Sequence, residues 1–206
     1  MFLHKTPSLF FHLYPSLVWR QPTSEKVVHL TFDDGPIPGL TPWVLDTLKA
    51  YGASATFFCV GDNVSKHPDI FDRIIKEGHQ VGNHTYNHIN GWQTDALSYL
   101  KNTLKADEEI GKHVQTQLFR PPYGRIKRKQ IKQLRHKRII MWDVLSGDFS
   151  PKLSPEQVLQ QSIRHTRSGS IVVFHDNMKA EKNLKHALPA YLKHFTEKGY
   201  SFRALS

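Results

Sequence analysis

Val27–Pro36 reads VVHLTFDDGP. Val27, Val28, Leu30 and Phe32 make an apolar run of strand length, and the residues that close it are turn formers. The expected strand therefore delivers Asp33 and Asp34 at its C-terminal end, where Gly35 and Pro36 turn the chain. Neighbouring side chains of a strand point to opposite faces, so a strand-end Asp-Asp pair can give one carboxylate to a metal ion and leave the other free as a base. Asp and Gly are also ordinary turn residues, so these ten positions alone leave a solvated turn equally open.

Outward from this strand the same unit recurs. Thr41 and Pro42 have the character of an N-cap and first helical residue, with Val44, Leu48 and Tyr51 at helical spacing and Gly52 as the stop. Ala55–Val60 reads as the next strand, followed by a helix over about His67–Glu77 that Gly78 closes. Gln80–Asn83 is a third strand, Thr94–Lys112 a long helix, and Thr116–Phe119 a fourth strand. A basic helix near Lys127–Lys137 leads into Arg138–Val144, a nearly continuous apolar run of the kind found in parallel sheets. Ser154 and Pro155 start another helix; Ser170–Phe174 is the most apolar strand; a last helix stops at Gly199 before a closing strand near Tyr200–Ala204. About seven strands alternating with helices predict an α/β fold with right-handed crossovers and a parallel sheet. Periodicity does not decide between an open sheet and a barrel, but both place their sites at the C-terminal ends of strands. Asp33, Asp34, His84, Arg120 and His175 all fall there.

The 206 residues are enough for one sizeable core, and 39% hydrophobic with 22% charged residues is the composition of a globular domain. A single cysteine, Cys59, excludes an internal disulfide; inside an apolar run it reads as a small buried hydrophobe. The net charge of +10 and pI near 9.7 favour anionic partners: nucleic acid, acidic cell-wall polymer or an anionic membrane surface. Much of the excess lies in Arg125–Arg138, RIKRKQIKQLRHKR, whose spacing suits an amphipathic helix with a solvated basic face rather than a specific nucleic-acid site. The N-terminal stretch MFLHKTPSLFFHLYPSLVW is interrupted by Pro7 and Pro15, is too short between them for a spanning helix, and lacks a small-residue cleavage site. Residues 1–26 are therefore expected to pack on a domain of residues 27–206, with a peripheral membrane or cell-wall contact left open and the compartment, cytoplasmic or envelope-associated, undecided.

Three further motifs carry chemistry. His84-Thr85-Tyr86-Asn87-His88 spaces two imidazoles four residues apart, on one side of a helical turn or helix-like loop. With a carboxylate such as Asp34 they make an open three-ligand site for zinc or a similar divalent ion. Arg120-Pro121-Pro122-Tyr123-Gly124 follows a strand with a stiff turn that can aim an amide N–H at an oxyanion, and an arginine leaving an apolar strand needs an anionic partner, for which Asp33 is a candidate. His175-Asp176 ends the strand SIVVF, where a hydrogen-bonded structural histidine is also an ordinary finding.

Taken together, TFDDG, HTYNH, RPPYG, WDVLSGDF and IVVFHD, in that order from Val27 to the C-terminus, resemble the polysaccharide deacetylases with the NodB homology domain, carbohydrate esterase family four. The resemblance implies a distorted (β/α)7 barrel. It implies Asp34, His84 and His88 as ligands of one divalent ion, zinc first, with cobalt or nickel as alternatives. It assigns Asp33 as general base oriented by Arg120, the Tyr123 amide as oxyanion holder, and His175 as general acid assisted by Asp148. Phe149 departs from the family's tryptophan after that Asp, and Val173 from its usual leucine. The implied activity is hydrolysis of N-acetyl groups on the amino sugars of an N-acetylated polysaccharide or oligosaccharide such as peptidoglycan or chitin. Two rivals are a hydrolase of another small non-peptide amide and a non-catalytic module binding carbohydrate or anionic polymer; an intact Asp33, Arg120 and His175 argue against the second.

Overall fold

The computed structural model describes residues 3–205; Met1 and Phe2 of the expected N-terminal segment, and Ser206, lie outside them. Eight strands form one sheet: β1 Val27–Asp33, β2 Thr56–Cys59, β3 Gln80–Asn83, β4 Leu118–Phe119, β5 Arg138–Ile139, β6 Val144–Leu145, β7 Ile171–His175 and β8 Ser201–Phe202. Their order is β5-β4-β3-β2-β1-β7-β6, with β8 added to the start of β1. All these pairings are parallel, as the alternation of strands and helices predicts, and the sheet forms an incompletely closed barrel, the distorted barrel class that the family resemblance implies.

The alternation along β1 sorts its residues. Val28, Leu30 and Phe32 are fully buried in the larger core cluster with Leu45, Leu48, Leu188 and Tyr191 of the surrounding helices, and Phe32 stacks on Phe57 at 5.1 Å. Thr31 and Asp33 therefore face the barrel interior. The helices are α1 Leu9–Leu13, α2 Leu40–Ala50, α3 Gly61–Lys66, α4 Pro68–Lys76, α5 Ala96–Gly111, α6 Arg128–Gln133, α7 Pro155–His165 and α8 Glu181–Glu197. Asp95 caps α5 by accepting the Leu97 and Ser98 N–H groups, and Ser154 caps α7.

Four details differ from the sequence reading. Arg138–Val144 is not one strand: β5 pairs with β4 and β6 with β7, and the chain leaves the sheet between them. The Ile140 and Met141 carbonyls accept from the Arg120 guanidinium at 3.2 and 3.0 Å, so this break is what houses a buried arginine. Thr41 is not an N-cap; α2 starts at Leu40 behind Gly39, because the Thr41 hydroxyl donates to Asp176 at 2.6 Å and accepts the Ile37 N–H. A short helix, α3, precedes the expected one. The basic helix is only six residues long, because Leu134 is buried and Lys137 turns away to Asp107 and the Thr116 carbonyl.

The gap between β5 and β6 is occupied by residues before β1. Val18 forms a parallel bridge with Ile140, Lys5 an antiparallel one with Val144, and Arg20 another with Ser170. Buried Asp143 holds this segment through Lys5 Nζ at 2.9 Å and Arg20 Nε at 3.2 Å. Among the described residues no helix is long and apolar enough to cross a membrane.

Candidate active site

Asp33 sits beside His175 and Phe58 in the register of its neighbouring strands. Its Oδ1 accepts from Arg120 Nη1 at 2.6 Å, and the same nitrogen reaches Thr31 Oγ1 at 2.7 Å. Arg120 is fully buried, with its guanidinium 4.1 Å from the centre of the Phe58 ring. A buried guanidinium is tolerable only when its donors are satisfied, and here a carboxylate, a hydroxyl and two carbonyls do so. Asp33 Oδ2 is left facing the cleft, 3.9 Å from His84 Nε2.

Asp34 reaches the same cleft by a different route from the one strand alternation suggests. Its φ of 87° lies in the left-handed region, which turns the second carboxylate back toward the first instead of to the opposite face. Asn63 Nδ2 donates to its carbonyl at 2.7 Å and Asn177 Nδ2 to Oδ2 at 2.5 Å, fixing both backbone and side chain. Gly35 must be glycine: a Cβ there would lie 2.0 Å from Asp176 Oδ2, and the Gly35 N–H donates to that carboxylate at 3.0 Å.

His84 and His88 lie on a loop after β3, not on a helical turn. Thr85 and His88 have φ of 63° and 53°, and these two left-handed residues bring the rings to 5.0 Å centroid separation. The Asn83 side chain accepts the Thr85 N–H at 2.7 Å and Asn102 that of Tyr86 at 2.8 Å. His84 Nδ1 is 2.7 Å from the Arg120 carbonyl, which holds the proton on Nδ1 and leaves the Nε2 lone pair directed at Asp34. Burial pushes the His84 imidazole down to about 4 against the attraction of Asp33 and Asp34, so it is neutral, as a metal ligand must be.

Asp34 Oδ1 lies 3.1 Å from His88 Nε2 and 3.6 Å from His84 Nε2. It is buried and, apart from its contact with His88 Nε2, has no hydrogen-bond partner, which leaves it available to a cation in the cleft. One ligand atom from each of Asp34, His84 and His88 lies within 4.8 Å of the others, and theirs is the one such cluster among the described residues. Burial opposes ionisation of Asp34, but the His88 hydrogen bond, with the charge of His175 beyond it, holds it well below the usual carboxylate range. The donor set fits a divalent cation.

Across the cleft, His175 Nδ1 is 2.8 Å from Asp148 Oδ1, and its backbone N–H donates to Asp148 Oδ2 at 2.7 Å. Burial opposes protonation of this imidazole, but the charge and hydrogen bond of Asp148, with Asp34 and Asp33 beyond, raise it from 6.5 to about 9. Phe149 packs edge-on against His175 at 5.0 Å. Tyr123, at φ 60° in a 3₁₀ turn over Pro122–Gly124, sets its ring 4.6 Å from His88. The cleft between these walls has a volume of about 530 Å³, and Trp142, Leu145 and Val173 also line it.

All eight residues singled out in the sequence thus meet at one end of the barrel. Sequence reasoning missed Asn177, Asp176 and Asn63, which hold the Asp33–Gly35 turn, and Asn83 and Asn102, which hold the histidine loop. The only sequence signal was for the first two, which directly follow His175.

A family model described as polysaccharide deacetylase matches residues 20–139. The chain is similar to a peptidoglycan-N-acetylglucosamine deacetylase of Bacillus cereus, 33% identical over 195 residues that make up 92% of this chain and 91% of that one. It is also similar to the peptidoglycan-N-acetylmuramic acid deacetylase PdaC of Bacillus subtilis, 32% identical over 89% of this chain, but it spans only 38% of that protein. Among solved structures, the Bc1960 peptidoglycan N-acetylglucosamine deacetylase aligns with a TM-score of 0.89 at 31% identity, over 97% of this chain and 95% of that one.

Proposed function

Because this chain belongs to the polysaccharide deacetylase family, we propose that its cleft removes N-acetyl groups from the amino sugars of a glycan such as peptidoglycan or a chitin-like oligomer, releasing acetate. The observation that carries this is the convergence of Asp34, His84 and His88 beside Asp33, whose outer oxygen is free while Arg120 holds the inner one. Binding alone would not require a buried arginine aimed at a base.

Asp34, His84 and His88 hold one divalent ion, zinc by the preference of a two-imidazole, one-carboxylate set. The bound ion supplies a Lewis acid to the acetyl carbonyl and to the attacking water. Asp33 Oδ2 would take a proton from the attacking water, and Arg120 holds the other carboxylate oxygen in place. The Tyr123 amide donates to the developing oxyanion; the left-handed turn at this residue supports that orientation. His175, charged and oriented by Asp148, gives its Nε2 proton to the departing amine. Aromatic walls at Tyr123, Trp142 and Phe149 suit the faces of a sugar ring.

The test is acetate release from peptidoglycan glycan strands, N-acetylglucosamine oligomers and acetylxylan, before and after chelation and re-addition of zinc. Release from the N-acetylated substrates that chelation abolishes and zinc restores is expected. Acetate from acetylxylan alone, or from none of the three by metal-loaded protein, overturns the reading.

A further inference from the structure

The cleft floor holds its acidic groups in partnership, Asp33 with Arg120 and Asp34 with His88 and Asn177. The mouth is different. Two of the lining residues there are cations, Arg125 and Lys179, both exposed and neither paired with a carboxylate among the described residues. Arg125 stands two residues beyond Tyr123, whose ring rests on His88; Lys179 stands four residues beyond His175. Both line the cleft that holds Asp33 and Asp34, on segments that follow Tyr123 and His175. The Arg125 guanidinium lies over the ring of Trp92 at 5.2 Å, and that indole, outside the cleft lining, is 60% exposed. The exposed indole face and the guanidinium over it stand together at the edge of the cleft. They form the surface that a pyranose bearing an acidic substituent would meet, apolar ring face on indole and anion on guanidinium.

Resting on the deacetylase reading above, we propose that Arg125, with Trp92 as its platform, and Lys179 form a subsite for a carboxylate carried by the sugar next to the N-acetylglucosamine being hydrolysed. The substrate class is an acidic amino-sugar glycan, of which a muramic acid strand with its lactyl carboxylate is one, in preference to neutral chitin oligomers. Single cations on separate loops match single carboxylates spaced along a chain. The exposed basic residues Lys127, Arg128, Lys129 and Lys132 continue from Arg125 along α6 and give such a strand a favourable approach.

The test compares one tetrasaccharide of alternating N-acetylglucosamine and N-acetylmuramic acid in two forms, with free lactyl carboxylates and with those carboxylates converted to methylamides. Wild type is expected to show a kcat/KM about tenfold higher for the free acid, a preference that shrinks as salt rises from low to near-physiological strength. Arg125→Gln and Lys179→Gln are each expected to lower the acid-to-amide ratio about threefold, and the double variant to bring it close to one. Trp92→Ala should raise KM for both forms and leave kcat within about twofold, the mark of lost ring contact rather than lost charge recognition. Equal turnover of both forms by wild type, or variants that slow both forms equally, would overturn the subsite and leave the deacetylase reading standing. Acetate from neither form, nor from chitin oligomers, by zinc-loaded protein would overturn both.

Discussion

Replacing Asp148 by asparagine perturbs one bond set of known geometry. Asp148 Oδ1 accepts from both His175 Nδ1 and the Phe149 N–H, and Oδ2 accepts the His175 backbone N–H. Asparagine has one acceptor oxygen, so with it on the Oδ2 side the new NH2 group faces Nδ1 and forces that nitrogen to accept. The imidazole then loses its main stabiliser while burial, the largest opposing influence, remains. Its pKa should fall from about 9 to no higher than the ordinary 6.5. At about pH 8 the protonated fraction drops from roughly 90% to at most roughly 3%, a factor of at least about 30 in available general acid, and the difference between the two proteins narrows as pH falls. The assay is kcat/KM against pH on a soluble N-acetylglucosamine oligomer; the alkaline limb moves to lower pH and the acid limb stays. A cation held by Asp34 lowers the limb in both proteins, so their difference is the reading. Stability offers a check without turnover. The raised folded value means that the His175 contribution is fully present below about pH 6.5 and is lost as pH climbs toward about 9, about 3 kcal/mol in all. Wild type should lose stability to urea across that window and Asp148→Asn should not. An unmoved alkaline limb, or an acid limb displaced equally, refutes the assignment of His175 as acid.

Asp33→Asn should retain metal by elemental analysis but lose at least about 10²-fold in turnover, whereas Asp34→Asn and the His84→Ala, His88→Ala double variant should lose the metal; equal metal content in all of them overturns the division of roles. Arg120→Met leaves Asp33 buried without its counter-charge and should cost about 3–5 kcal/mol in urea unfolding, and a cost below about 1 kcal/mol would mean that the pair is not what holds the barrel interior there. We propose that residues 3–26 act as one structural piece with the domain: Asp143→Ala, which removes the partner of Lys5, Arg20, Ser170 and the Ile171 N–H, should then speed proteolysis before Gln21 and lower stability by about 1–3 kcal/mol, while unchanged cleavage would count against it.

The strands that sequence located best were those with both faces buried. β2 and β7 are nearly continuous apolar runs, and β1 carries Val27, Val28, Leu30 and Phe32, because helices cover one side of the sheet and the barrel interior lies on the other. The reading failed where a short apolar run serves two structures. Arg138–Val144 looked like one strand because Ile139, Ile140, Met141 and Val144 are all buried, yet the middle of the run gives its carbonyls to Arg120 and its outer edge to Val18. Burial made the run legible; backbone direction, which decides strand pairing, left no trace in composition. The cap at Thr41 failed for a related reason. Its hydroxyl is committed to Asp176, 135 residues away, and no local pattern announces so distant a partner.

For the site, residue identity was legible and geometry was not. The His-x3-His spacing suggested one side of a helical turn or helix-like loop and the Asp pair opposite strand faces, but the side chains converge through left-handed backbone. The four non-glycine residues with positive φ among those described are Asp34, Thr85, His88 and Tyr123; three line this cleft and Thr85 follows His84, which also lines it. Each such conformation costs on the order of 1–3 kcal/mol and persists only where neighbours over-determine it. Asn63 on the Asp34 carbonyl, Asn83 on the Thr85 N–H, Asn102 on the N–H groups of Tyr86 and Asn87, and the Thr85 hydroxyl on the Ile89 N–H are those neighbours. The positions of the three ligand atoms relative to Asp33 are therefore set by amide side chains that never touch the cleft contents.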